Sequence, residues 1–306
     1  VIADALTLGA NNQYGQIMFD LRYRYQNVHV DHHLPIKTAN ANTLRLRIGY
    51  LTPELYAFQA YAEYEGNLAM QEDYNSLRNG RIGFEKVVDP EAQELNQLWL
   101  SYKGISDTLI KGGRQRMTLD NQRFIGSVGW QKMEQTFDAL LISNQSIDNL
   151  TLNFAYIAGV QKVTSLNQTV QVPLLNFTYD FGKFSHITGY AYWLADYDQS
   201  ENSSQTYGVR LHGAPKLKHD ISLSYDAGYS NQGSYANNPG RFNLDRYNLL
   251  LGVSYAGVTI KSGVELLDGN GVYAFQTTLG SRHGYQGWAD QFITTPAAGV
   301  RDIQAS

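Results

Sequence analysis

At 306 residues the chain is long enough for one large domain, and a formal charge of −4 suits neither a nucleic-acid binder nor a polyanionic tail. Charged residues make up 17% of it, below the roughly 25% of soluble domains. Yet no run reaches the roughly 18 apolar residues of a transmembrane helix. With no cysteine at all, disulfides and thiolate metal sites are excluded, and the 22 tyrosines suit positions that are apolar along the ring and wet at the hydroxyl, as a membrane interface offers.

In chain order, residues 1–15 read as a periplasmic segment ahead of the first strand, with no signal peptide at Val1, as in a mature exported chain. Then a period of two sets in. Ile17, Phe19, Leu21, Tyr23 and Tyr25 alternate with Met18, Asp20, Arg22, Arg24 and Gln26. Leu44, Leu46, Ile48 and Tyr50 alternate with Arg45, Arg47 and Gly49; Tyr56, Phe58, Ala60, Ala62 and Tyr64 with Gln59, Tyr61, Glu63 and Glu65. The pattern returns at 150–156, 221–230 and 247–255, with weaker cases between them and at 258–266. Lipid-facing apolar residues interleaved with lumen-facing polar ones are the mark of a transmembrane β-barrel strand. A soluble sandwich also alternates, but seldom with more than ten long strands in one domain.

Connections alternate between short (51–54, 104–107, 146–149, 180–183, 213–218, 256–257) and long (28–42, 66–94, 118–134, 159–171, 196–203, 230–244, 268–298). Short periplasmic turns and long extracellular loops place the N-terminus in the periplasm. The expectation is an all-β, up-and-down antiparallel barrel of the bacterial outer membrane, one domain over 1–306, in contact with outer-membrane lipid and lipopolysaccharide. About thirteen complete strands are counted, and a fourteenth begins near Arg301. Closure requires the last strand to meet the first, and the tail 302–306 has no terminal aromatic residue. The wall is therefore expected to be C-terminally incomplete, with a gap beside 16–26.

The segment 113–140, GRQRMTLDNQRFIGSVGWQKMEQTFDAL, carries a resemblance together with LRYRY (21–25), VDPE (88–91) and GWADQFITTPAAG (287–299). These blocks, in this order over nearly the whole chain, resemble the alginate-export-type family of outer-membrane barrels. The resemblance implies 18 strands and a channel for anionic solutes, uronate-containing saccharides such as alginate among them, with Arg and Lys along the lumen.

Read physically, Arg22, Arg24, Arg45 and Arg47 lie on the polar faces of neighbouring strands and should form a basic ladder, since charge facing lipid costs about 2–4 kcal/mol at the midplane. A bulge at Gly112-Gly113 would turn Lys111, Arg114 and Arg116 inward together. The loop that follows, with Asp120 and Arg123, is expected to fold inward as a constriction. The alternative for Arg114, Asp120 and Arg123 is bracing of that loop against the wall, and Asp20, Glu63 and Glu65 are placed to neutralise part of the ladder. His29, Asp31, His32 and His33 sit in one long loop without a rigid ligand geometry, and the stretch 268–271 reads as a tight turn, so no metal or other cofactor is called. No nucleophile motif supports an enzyme. The other reading is a structural or adhesive barrel that anchors a partner or presents binding loops.

Overall fold

A computed structural model describes residues 2–9, 12–31, 35–182, 184–217, 220–286 and 292–306. Among the described residues, fifteen strands follow one another in a single antiparallel sheet in which spatial order is sequence order. They are β1 (Ile2–Thr7), β2 (Gln16–Val28), β3 (Ala39–Leu51), β4 (Phe58–Asp73), β5 (Ala92–Ile105), β6 (Thr108–Gln115), β7 (Thr136–Ile147) and β8 (Leu150–Gln161). The remainder are β9 (Asn167–Asp180), β10 (His186–Asp196), β11 (Ser204–Gly213), β12 (Ser222–Ser234), β13 (Asn243–Tyr255), β14 (Val258–Leu267) and β15 (Val300–Ala305). Among the described residues no helix is long and apolar enough to cross a membrane.

The thirteen strands counted from the sequence are β2–β14, and the one begun near Arg301 is β15. The reading of 1–15 as a segment outside the wall is corrected: Ile2–Thr7 form β1, which pairs with Gln16–Leu21 of β2. Six residues are too few for alternation to stand out, so only the pairing reveals the strand. The gap expected beside β2 is filled by β1. The sheet's two edges, β1 and β15, are not paired with each other.

Alternation along each strand gives the sheet two chemically different faces. Leu98, Leu100, Leu251 and Ile260 are at least half exposed on the outer face, with Tyr23, Tyr25, Tyr229, Tyr247 and Tyr255 on the same side. An apolar surface on nearly every strand far exceeds what a soluble monomer exposes, and lipid is the solvent that accommodates it.

Turns at one end of the sheet include two-residue links at 106–107, 148–149 and 256–257. Ala256 and Gly257 both have positive φ, 47° and 82°, the backbone of a tight hairpin whose twist matches its strands. The other end carries the longest connections, 74–91, 116–135 and 268–299. The expected loop at 159–171 shrinks to 162–166, because a bulge at 157–159 lets β8 and β9 continue past Gly159. The link 214–221 is longer than that loop, so the alternation of lengths holds less strictly than the sequence indicated.

The candidate site: an inward loop between two walls

Two glycines set how the chain enters the site. Gly113 has φ +120°, and a Cβ there would lie 2.3 Å from the carbonyl oxygen of Leu98. The β5–β6 and β6–β7 pairings nevertheless run through Gly112 and Gly113 without a register shift. The expected bulge is therefore absent, and strict alternation persists. Lys111 faces inward, its Nζ 4.0 Å from the Trp99 ring centroid. Arg114 faces outward, opposite the exposed Leu98, and forks onto Asp138 with two bonds of 2.8 Å. Arg114 is thus not part of the inner ladder. Its charge is neutralised by Asp138 within the outer face.

Past Gln115 the chain leaves the wall and crosses the inner face as the loop 116–135. On one side it meets β2–β4. Arg22, Arg24, Arg45 and Arg47 all project inward there, as alternation required, and Arg22 and Arg45 are directly opposite across the strand pair. The ladder lies under the loop instead of lining open water: Arg45 is fully buried and Arg47 nearly so. Nη1 of Arg22 donates to the carbonyls of Gly129, Trp130 and Gln131 at 3.4, 3.3 and 3.2 Å. Arg24 forks onto Asp89, which the loop 74–91 delivers. Arg45 donates to Asp20 at 2.5 Å and to the Lys132 carbonyl at 3.2 Å. Arg47 pairs with Glu65, and Arg116 forks onto Glu134 with bonds of 2.8 and 2.5 Å. Lys132 donates from Nζ to the carbonyls of Arg22 and Thr43 at 2.6 and 3.0 Å.

Burial and charge tune the loop's own groups. Burial pushes the Lys132 ammonium down to about 8. Burial alone would raise Glu134, but the hydrogen bond and charge of Arg116, with Arg47, hold it below the ordinary carboxylate value. Arg22, Arg24, Arg45, Arg47, Arg116 and Lys132 face Asp20, Glu63, Glu65, Asp89 and Glu134, so the cations are nearly balanced. Arg22 is the arginine of this group that has no carboxylate in its hydrogen bonds. A cleft of about 440 Å³ remains open among Asp20, Arg47, Tyr61, Glu63, Arg116 and Glu134.

Arg123, expected to extend this ladder toward the constriction, instead reaches the opposite wall, as does Asp120. Asp120 pairs with Arg210 of β11, which also forks onto Asp226 of β12. Arg123 lies 3.1 Å from Glu265 of β14, which also accepts from Arg246 of β13 at 2.6 Å. Burial lowers the Arg123 guanidinium to about 10, the Glu265 carboxylate opposing the shift. The loop 268–299 locks the same residues. The Tyr285 hydroxyl donates to the Asn121 carbonyl, Gly126 N donates to Leu279 O, and Trp130 stacks on His283 with centroids 3.7 Å apart. Val128, a β-branched residue, is held at φ 53° while its N–H donates to Ser281 Oγ at 3.1 Å. Such a conformation costs about 1–3 kcal/mol and persists only where surroundings fix it.

Between these two polar anchorages the loop packs on an apolar wall that the sequence reading did not anticipate. Met117, Leu119 and Ile125 bury against Phe137, Ile157, Val172 and Leu174 of β7–β9, with Tyr190 and Tyr192 of β10 in the same cluster. Also unforeseen were Asp89, Glu134, Arg210 and Glu265 as partners. Asp89 lies in the VDPE block and Glu134 in the 113–140 block, so the recurring motifs pointed at them. Arg210 and Glu265 gave no local signal. Of the histidine cluster, His32 and His33 lie outside the described residues. His29 pairs with Asp31 at 3.4 Å, and among the described residues no three His, Asp or Glu side chains converge to hold a metal.

The chain matches the family model described as alginate export over residues 14–291. Comparison with curated proteins returns no match. Among solved structures, OccK2 (OpdF) of Pseudomonas aeruginosa in complex with glucuronate aligns at TM-score 0.65 and 12% identity, over 85% of this chain and 66% of that one. OccD3 (OpdP) of the same organism gives 0.68 and 14%, over 99% and 68%, and its OpdL gives 0.67 and 16%, over 94% and 74%. The chain therefore spans just under two thirds of the length of the OccK2 channel. At these identities the likeness is one of fold, that of the outer-membrane porin barrel.

Proposed function

This chain belongs to the alginate export family, and we propose that it forms an outer-membrane channel through which small acidic solutes, uronate-containing saccharides among them, pass down their gradients. The long-loop end faces outward and the short turns face the periplasm, as in bacterial barrels generally. One observation carries the reading: an inward loop crosses a wall of arginines, and one of them, Arg22, is held on backbone carbonyls, with the charge of Asp20 acting on it but no carboxylate in its hydrogen bonds. The planar guanidinium donates two parallel hydrogen bonds to a carboxylate, which water alone cannot match in geometry. The glucuronate in the OccK2 complex is an acid of this class in a barrel of the same fold.

Near-balance of the remaining charges makes the expected anion preference modest, so flux instead of tight binding is the outcome. Reversal potential across a salt gradient tests this: the full-length protein should favour anions, and Arg22→Ala should bring the preference close to neutral. Cation preference in the parent would overturn the reading. The second reading, an occluded barrel that anchors a partner, draws on the apolar seal between the loop and β7–β10. It predicts almost no current.

A further inference from the structure

Next to the cleft under the arginine ladder, and sharing Tyr61 with it, the inner face of β4–β6 carries a further tier of residues. Three cross-strand rows step from the constriction toward the short turns. Glu63 lies opposite Gln97, Tyr61 opposite Trp99 and then Gly113, and Gln59 opposite Ser101 and then Lys111. Lys111 is therefore four strand residues below the level of Glu63, roughly 14 Å at about 3.4 Å per residue.

This tier is built, and glycine builds it. Gly113 offers no side chain opposite Trp99, and its φ of +120° with a Cβ clash against the Leu98 carbonyl excludes other residues there. The face of Trp99 is left uncovered, and the Lys111 ammonium settles over it at 4.0 Å, while Tyr61 closes the other side with ring centroids 5.6 Å apart. Gly49 does the same for Tyr61, since a Cβ there would lie 2.3 Å from its hydroxyl oxygen. A cation over an indole is held by the ring's quadrupole, at about 0.5–2 kcal/mol, without losing its hydrogen-bond donors. Lys111 has no carboxylate at salt-bridge distance among the described residues, in contrast to Arg24, Arg45, Arg47 and Arg116 above it. The Trp99 Nε1–H is buried without an acceptor.

The geometry points to a second solute subsite at Lys111, Trp99 and Tyr61, taking a monocarboxylated sugar on the periplasmic side of the constriction; this rests on the acidic-solute reading above. The ammonium would receive the carboxylate. Gln59 and Ser101 flank it; their donors are taken by the Thr52 and Gln59 carbonyls, so each offers a sugar hydroxyl its side-chain oxygen as acceptor, and the aromatic edges meet the apolar face of a pyranose. An uncompensated, half-buried lysine is otherwise an unexplained cost in this wall, because burying a cation without a counter-charge is unfavourable.

The test is current block by glucuronate in planar bilayers holding the full-length protein, with glucose as the neutral probe of the same shape. Glucuronate should block saturably and glucose much more weakly. Lys111→Met should raise the half-blocking glucuronate concentration at least tenfold, Lys111→Arg should restore most of the affinity, and the reversal potential should stay anion-preferring in both because Arg22 is untouched. Trp99→Leu should weaken the block again. If the parent is blocked and Lys111→Met is blocked equally well, the subsite is wrong while the channel reading stands. If the parent shows neither anion preference nor block, the channel reading falls and this inference with it. Heat-modifiable migration on gels confirms that each variant is folded.

Discussion

Two of the surfaces that hold the inward loop have opposite chemistry. Against β2–β4 it is held by ion pairs and by arginine bonds to its carbonyls; against β7–β10 it is held by Met117, Leu119 and Ile125 in a dry cluster. Ion pairs are directional, and desolvation offsets much of their attraction, so they fix where the loop lies more than how tightly it is held. Apolar contact has no preferred direction but contributes about 1.5–3 kcal/mol for each large side chain buried. One wall therefore sets register and the other supplies adhesion. Only the first responds to salt and pH.

The sharpest way to break this division is to strike each wall once. Glu134→Ala takes a carboxylate from the part-exposed Arg116 and from the buried Arg47, which keeps Glu65, and should cost less than the roughly 3–5 kcal/mol of a fully buried pair. The loop should lift from β2–β4, raising single-channel conductance and exposing Lys132 to trypsin. Ile125→Ala removes a nearly fully buried side chain from the other wall and should cost about 2–5 kcal/mol. Its effect should be indifferent to salt, whereas extra salt should screen the freed charges of the Glu134 variant. Equal salt responses in the two variants would show that the walls do not differ in the way described.

Acid and alkali sharpen the same contrast by a smaller margin. The folded Glu134 carboxyl lies below its ordinary value, so its contribution is present above the ordinary carboxylate pKa and is lost as pH falls through the folded one. Lys132 has the same sign in a higher window. Its ammonium is lowered to about 8 from 10.5, so between those values the released loop binds more protons, and docking strengthens as pH rises across that window. Conductance should therefore climb below about pH 4 and fall slightly between pH 8 and 10.5. In Glu134→Gln the acid rise should be much reduced. A rise of unchanged size there would place the acid-sensitive group elsewhere.

How far the sequence foretold this arrangement follows from the reach of each signal. The inward placement of Arg22, Arg24, Arg45 and Arg47 was legible because side chains alternate faces along any strand. The inner apolar wall was less so. Val170, Val172 and Leu174 face inward while Leu175 and Phe177 face out, so both faces of β9 are apolar and alternation fades. A strand without contrast meets apolar surroundings on both sides, here packed protein within and lipid without, and the weak periodicity was itself the clue. The partners of Asp120 and Arg123 lie 90 and 142 residues away in sequence, at Arg210 and Glu265, and no local pattern reaches so far. Arg114 was misplaced for a different reason. Two adjacent glycines suggest a bulge, but Gly113 uses its conformational freedom for a close approach to Leu98 and leaves the register intact.

That correction yields the smallest expected effect and a discriminating one. Arg114 and Asp138 pair on the outer face, where the Asp138 side chain remains 42% exposed; a pair so placed stabilises by about 0–1 kcal/mol. Its arginine neither lines the cleft nor touches the inward loop. Arg114→Ala should therefore leave conductance and reversal potential at the parent's values, while Arg116→Ala, two residues on and facing Glu134 in the cleft, should shift both. The variant's cost belongs to the wall: Asp138 loses its counter-charge on the outer face, and the temperature at which the barrel unfolds on gels should drop by a few degrees at most. Should Arg114→Ala instead move the reversal potential as far as Arg116→Ala does, the side chain would have to reach the lumen. The β5–β6 register, regular from Leu98–Arg114 to Tyr102–Ile110 and the basis of the inward placement of Lys111, would then be wrong.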